Sequence, residues 1–225
     1  MKNKLKFIVA GLLLANSVAF AGPPNLVTNG SFEDFSNLPL SQAGGTWGQF
    51  VTLNGWQSFG GDSFEIQLAT NYQLSLATGT YPSFNPSSSD GSAHYLEINA
   101  NRLGDVGQTL QTVVGQSYKV SFDYSGRSDS GTANNSKAEV FWGGQLIATL
   151  NQEPNSGWQT YGYTLTASNT KTLLEFRSIG PTAKPSYGSY LDAVSVTAVP
   201  EPESYAMMLA GLGLLGFMAR RKKTA

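Results

Sequence analysis

The sequence predicts an all-β chain folded as a two-sheet antiparallel sandwich of jelly-roll type. Three observations predict it. Between residues 22 and 198, apolar and polar residues alternate with period two in short runs, the signature of half-buried strands. Gly, Asn, Ser and Pro bound those runs, and helical periodicity is nearly absent over the same stretch. Eight or more short strands without helices pack most readily as two stacked sheets.

The first confident strand is AHYLEIN, and VGQTLQTVV follows. In SYKVSFDYSG, Tyr118, Val120, Phe122 and Tyr124 share one face while Lys119, Ser121 and Asp123 share the other. KAEVFWGGQLIATL reads as two strands about Gly143-Gly144, because two-residue hairpin turns use positive φ, which glycine adopts readily. WQTYGYTLTA, TLLEFRSIG and YLDAVSVTA supply the rest. Low-complexity stretches at 36–46 and 78–91 are expected to be long loops.

The two ends are different. MKNKLKFIVAGLLLANSVAFA pairs Lys2, Lys4 and Lys6 with an apolar run and Ala19-Phe20-Ala21, which is the layout of a signal peptide over 1–21. A permanent N-terminal anchor is the other reading, but the apolar run is short for a span. At the far end, 199–225 holds Pro200-Glu201-Pro202, fifteen uncharged residues from Tyr205 to Ala219, and Arg220-Arg221-Lys222-Lys223. As a helix those fifteen residues rise about 22 Å, against a hydrocarbon core of about 30 Å, so a transmembrane helix over 205–219 is expected to be marginal. The basic cluster would stay cytoplasmic and leave 22–198 outside, in transient contact with the inner membrane.

The triplet, the glycine-punctuated apolar helix and the basic cluster resemble a PEP-CTERM sorting signal. The resemblance implies a Gram-negative bacterium with an exosortase that recognises the tail and removes it near the triplet. It also implies an association with exopolysaccharide and biofilm, and a final place at the cell surface or in the extracellular matrix. An ordinary single-span anchor is the plainer alternative.

Composition limits the intervening domain. Cysteine is absent, so disulfides and thiol chemistry are excluded. Over 22–199, seven basic residues face thirteen acidic ones, leaving the domain near −6 although the whole chain is −1. Binding to nucleic acid has no electrostatic basis.

NLVTNGSFED, NGWQSFGG, DGSAHYLEINAN and SYLDAVSVT together resemble the galactose-binding-like sandwiches of carbohydrate-binding modules. That resemblance implies a jelly roll whose first and last strands meet, often around a structural calcium, and which frequently binds sugars. Fold alone does not establish function.

Catalysis finds little support in the residues. His94 is the only histidine, in phase with Leu96 and Ile98, and no hydrolase or phosphate-binding motif occurs. Asp62 with Glu65, or Asp123 with Asp129, are conceivable acid pairs, but nothing singles them out. Sugar binding has better material, since aromatic faces stack on sugar C–H groups while amides, carboxylates and guanidinium groups meet hydroxyls. Trp47, Tyr72, Tyr81 and Phe84 lie in or beside the long loops and are candidate stacking residues, with Arg102 and Arg127 as candidate hydroxyl ligands. Trp142, before the hairpin turn, reads equally as ligand-binding or core; Trp56 and Trp158 read as core. The expectation is a non-catalytic surface or matrix protein that binds extracellular polysaccharide. The competing reading is a structural or adhesive protein with no sugar site.

A calcium staple is also expected. Asp192 alternates in phase with Tyr190, Val194 and Val196, and a buried carboxylate without a partner costs several kcal/mol. In the resembled sandwiches, a glutamate at the position of Glu33 and an aspartate in the last strand share calcium. Carbonyls near Asn29 and Ser31 would be further ligands, as calcium takes six to eight oxygens. A salt bridge or a hydrogen-bonded surface acid is the alternative for Asp192.

Overall fold

A computed structural model describes residues 22–35, 47–60, 62–69, 88–128, 130–154, 156–182, 186–200 and 202–221. The expected signal peptide and the candidates Tyr72, Tyr81 and Phe84 lie outside the described residues. Among the described residues twelve strands form: β1 Trp47–Phe50, β2 Thr52–Leu53, β3 Trp56–Ser58, β4 Phe64–Leu68, β5 His94–Glu97, β6 Asp105–Gln111, β7 Ser117–Ser125, β8 Ala138–Trp142, β9 Gln145–Leu150, β10 Gln159–Thr166, β11 Lys171–Ser178 and β12 Tyr190–Ala198. A C-terminal helix, α1, spans Pro202–Arg221. Every pairing is antiparallel. The first sheet runs β1-β4-β5-β12-β7-β10 and the second β2-β3-β6-β11-β8-β9.

The expected strands from β5 onward are present, and β7 buries the face that its alternation assigns to the core. At the β8–β9 turn, Gly143 and Gly144 take φ of 57° and 83°, and Trp142 pairs Gln145 across it. Strands β1 to β4 add an edge to each sheet that short alternation did not foretell.

Aromatic rings bind the two layers. Phe32, Trp56, Phe176 and Phe122 form a chain with centroid separations of 5.1, 6.4 and 5.0 Å, and the last contact crosses from β11 to β7. Each such side chain, fully buried, stabilises by about 1.5–3 kcal/mol. Trp56 donates its indole N–H to the Asn29 carbonyl at 3.0 Å, confirming a core role. Trp142 is core as well: it is 5% exposed, lies 6.0 Å from Tyr118 and donates to the Thr166 carbonyl at 3.1 Å. A ring so enclosed offers no face to a sugar, so Trp142 is not a binding residue.

The chain ends meet. Leu26 N–H donates to the Val196 carbonyl, and Asn25 Oδ1 accepts from both Val27 and Val196. The alternation expected in β12 is broken by a bulge between Asp192 and Ser195, where Ala193 has φ of 49°. A bulge inserts one residue and flips the phase. Tyr190 and Asp192 therefore point away from the core that Leu191, Val194 and Val196 enter.

The domain grips its tail up to Val199, whose N–H donates to Ser117 and whose carbonyl accepts from Gln116. Helix α1 begins three residues later, as the tail's apolar pattern predicts. The expected membrane span is not supported: among the described residues no helix is long and apolar enough to cross a membrane. Three glycines and three alanines dilute the uncharged segment, which is short as well.

Candidate functional site

The first sheet is buried on both of its faces near β4 and β5. Phe64, Ile66 and Leu96 point into the sandwich, so register places Glu65 and Gln67 of β4 on the opposite face. There Trp47 opposes Gln67, which opposes Tyr95; in the next row Gln49 opposes Glu65, which opposes Glu97, which opposes Tyr190. The result is a lattice of aromatic, amide and carboxylate groups four strands wide.

Its centre is a carboxylate pair. Gln67 Nε2 donates to Glu65 Oε2 at 2.8 Å and to Glu97 Oε2 at 3.0 Å, while Gln49 Nε2 donates to Glu65 Oε1 at 3.3 Å. Glu97, 0% exposed, is clamped further by Arg127 Nη1 and by Gly188 N–H at 3.0 Å. Arg127 also donates to the Ser186 carbonyl and stacks over Tyr187. Burial, against the pull of Arg127 on both, raises Glu65 to about 7, with Asp62 adding to the rise, and Glu97 to about 8, with the charge of Glu65 adding to it. Three donors, one of them a guanidinium, converge on Glu97 and two on Glu65, and the pair shares one proton near neutrality.

Beside the pair lies an aromatic shelf. Tyr95 contacts Trp158 and Tyr190 at 5.5 and 5.0 Å, edge to face, and Trp158 is half-buried. Trp158 thus belongs to this outer cluster, not to the main core as its sequence context predicted. The Tyr95 hydroxyl is buried and has no hydrogen-bond partner among the described residues.

Of the sequence candidates, Trp47 and Arg127 come together on this face. Arg102 sits at its rim, its side chain exposed and its N–H held by Asp62 Oδ2. Of the acid pairs suggested by the sequence, Asp62 and Glu65 turn to other partners: Asp62 caps the Asn101–Arg102 turn, and Glu65 meets Glu97; Asp129, of the second pair, lies outside the described residues. Gln49, Gln67, Tyr95 and Glu97 were missed. Their signal was their position out of phase with Ile66, Leu96 and Ile98, which by alternation alone means solvent.

The expected calcium ligands lie where the ends of the domain meet. Asp192 is fully buried; its Oδ2 accepts from Ser89 N–H at 2.9 Å and Ser89 Oγ at 3.1 Å, and its Oδ1 from Ala193 N–H at 2.8 Å. Burial first, then the charge of Asp90, pushes Asp192 up to about 7. Asp90 itself accepts from Ser92 and Ser31. Glu33 is occupied by His94, with its Oε1 on the backbone N–H at 2.6 Å and Oε2 at 2.8 Å from Nδ1. The Asn29 carbonyl already accepts from Trp56 and Phe32. Among the described residues no group of three His, Cys, Asp or Glu side chains converges as a metal cluster.

Comparison with known proteins identifies the tail and relates the domain to others. Residues 198–222 match the PEP-CTERM protein-sorting motif, and residues 87–197 match a family described as protein of unknown function (DUF642). Halomucin of Haloquadratum walsbyi is 26% identical over 201 residues, covering 87% of this chain; the chain spans 2% of that protein's length. Among solved structures, a family 61 carbohydrate-binding module in complex with β-1,4-galactotriose is 13% identical, with a TM-score of 0.44 covering 78% of this chain and 99% of its own. A family 35 module from Clostridium thermocellum is 13% identical, with a TM-score of 0.38 covering 64% and 98%.

Proposed function

We propose that this is an exported, exosortase-processed, non-catalytic protein of the cell surface or extracellular matrix of a Gram-negative bacterium, and that it binds extracellular polysaccharide on the outer face of the first sheet. The sorting motif supports export and processing. The observation that carries the binding is the lattice of Trp47, Gln49, Glu65, Gln67 and Tyr95, which sets an aromatic face beside hydroxyl-binding groups on rigid strands. Glu97 argues for binding over hydrolysis, because three donors and full burial hold it away from any glycosidic oxygen. A glycan array probed with the purified full chain should light up polysaccharide features, and Trp47→Ala should remove the signal. An array that stays blank would count against the reading.

The calcium site is part of the same proposal, with a revised ligand set. Asp192 and Asp90 offer carboxylates side by side, and none of the ion pairs among the described residues involves Asp192. Calcium there would be completed by hydroxyl and carbonyl oxygens around Ser31, and would supply the charge that lets Asp192 ionise while buried. Glu33 joins only by releasing His94. Adding calcium to chelator-treated protein should raise the melting temperature by about 5 °C, as expected of a ligand that binds only the folded state. Asp192→Asn should abolish the rise. An unchanged melting curve on calcium addition would remove the ion from the account.

A further inference from the structure

Resting on the reading of this face as glycan-binding, we infer that its ligand is a cationic amino-sugar chain, with a free ammonium group seated against Glu65, which is 8% exposed where its partner Glu97 is 0% exposed. Glu65 from β4, Glu97 from β5 and Arg127 from the segment after β7 form one hydrogen-bonded unit, with two carboxylates and a single guanidinium. Among the described residues the other ionisable groups around it are Asp62 at the rim, which adds negative charge, and the hydroxyls of Tyr190 and of Tyr95, the latter kept neutral by its burial. Asp192, further along the face, is also acidic.

A buried unit of this kind is one positive charge short, and an unbalanced buried charge is expensive. In the free protein a proton fills the deficit. An ammonium can replace that proton and bring three donors where Glu65 holds only two, one of them the 3.3 Å contact from exposed Gln49. A second observation points to a ligand independently of the acids. The Tyr95 hydroxyl, across from Gln67 on the same face, is fully buried and lacks a partner among the described residues. A buried hydroxyl left so is costly, and a sugar hydroxyl would satisfy it. Trp47, half-exposed and opposite Gln67, offers its ring to the adjoining sugar face. An acidic chain such as a polyuronate meets like charge here and is excluded.

The test is a calorimetric titration of the full chain, at about pH 7, with four probes: a glucosamine tetramer, its fully N-acetylated counterpart, a glucose tetramer and a galacturonate tetramer. The glucosamine tetramer should bind at least about tenfold tighter than the glucose tetramer, a gap of about 1.4 kcal/mol, and the galacturonate tetramer weakest. Glu65→Gln, which keeps shape and removes charge, should erase the preference for the amine, so that the glucosamine and glucose tetramers bind alike. Acidification to about pH 5 should weaken the glucosamine tetramer selectively, as protons refill the pair. Equal binding of the glucose and glucosamine tetramers to the unmodified chain would overturn the inference while sparing the glycan-binding face. Failure of all four probes, together with a blank array, would overturn both.

Discussion

Replacing Arg127 with Met should lower stability by about 3–5 kcal/mol, the cost of stripping the partner from a buried ion pair. In a domain of this size that is a fall of about 10 °C or more in melting temperature. Met keeps the aliphatic stem and removes the fork, so the loss reads charge and hydrogen bonding rather than volume. What remains is Glu97, 0% exposed, still facing Glu65 through Gln67 and keeping only the amide donors of Gln67 and Gly188. The contact of Arg127 with the Ser186 carbonyl would go too, loosening the segment that leads into β12. Glu97→Gln added to Arg127→Met should recover much of the loss, because a neutral amide no longer needs a cation. A fall of less than about 2 °C in the single variant, measured by thermal unfolding at neutral pH, would mean that the clamp is not formed in solution.

The second large effect is on pH dependence, and its direction is unusual. Glu65, Glu97 and Asp192 are all raised in the folded state, from 4.5, 4.5 and 3.8 to about 7, about 8 and about 7. A folded value above the unfolded one gives stability that is complete below the unfolded value and is lost as pH rises through the folded one. The calcium-free chain should therefore be most stable near pH 4 to 5 and weaken steadily up to about pH 8. A tenfold difference in proton affinity between the folded and unfolded chain corresponds to about 1.4 kcal/mol, so a drop of several degrees in melting temperature over that range is expected. Glu33 and Asp90 run the other way: burial would raise them, but the contacts of Glu33 with His94 and those of Asp90 with Ser92 and Ser31 outweigh it, so both are lowered. Their stabilisation fades only as pH falls through their depressed folded values, below the window of the other three. Calcium should flatten the part of the profile owed to Asp192 and leave the part owed to Glu65 and Glu97. A chain that is less stable at pH 5 than at pH 8 without calcium would contradict the buried pair.

The sequence disclosed strands that are half-buried and hid those that are not. β7, with Tyr118 to Tyr124 in and Lys119 to Asp123 out, could be read directly, as could the hairpin at Gly143-Gly144. β4 could not: Phe64, Glu65, Ile66, Gln67 and Leu68 are all buried, so polar residues that alternation assigns to solvent lie under cover. Asp192 is buried, as its alternation suggests, but for a different reason. Its phase with Val194 is broken at Ala193, and it lies on the polar face with Tyr190 rather than in the core. The meeting of Glu65 with Glu97, and of Glu97 with Arg127, joins residues about thirty positions apart through the folded topology, which composition and spacing do not encode. Trp47 and Arg127, which the structure places on one face, were candidates because residue type alone recommends them for sugars; Gln49 and Gln67 were not, because an amide in a strand has many ordinary uses.

The account stands or falls on which face of the sandwich meets polysaccharide. Phe59, 41% exposed beside Gly107 of β6, offers an accessible ring on the second sheet and serves as the internal control. Affinity electrophoresis of the full chain through gels carrying polysaccharide purified from the producing bacterium measures the point directly. The account predicts that the unmodified chain and Phe59→Ala are retarded alike, while Trp47→Ala and Gln49→Ala weaken retardation by about tenfold, the loss of a stacking ring or of an exposed amide donor. Retardation that survives both first-sheet substitutions and disappears in Phe59→Ala would contradict it.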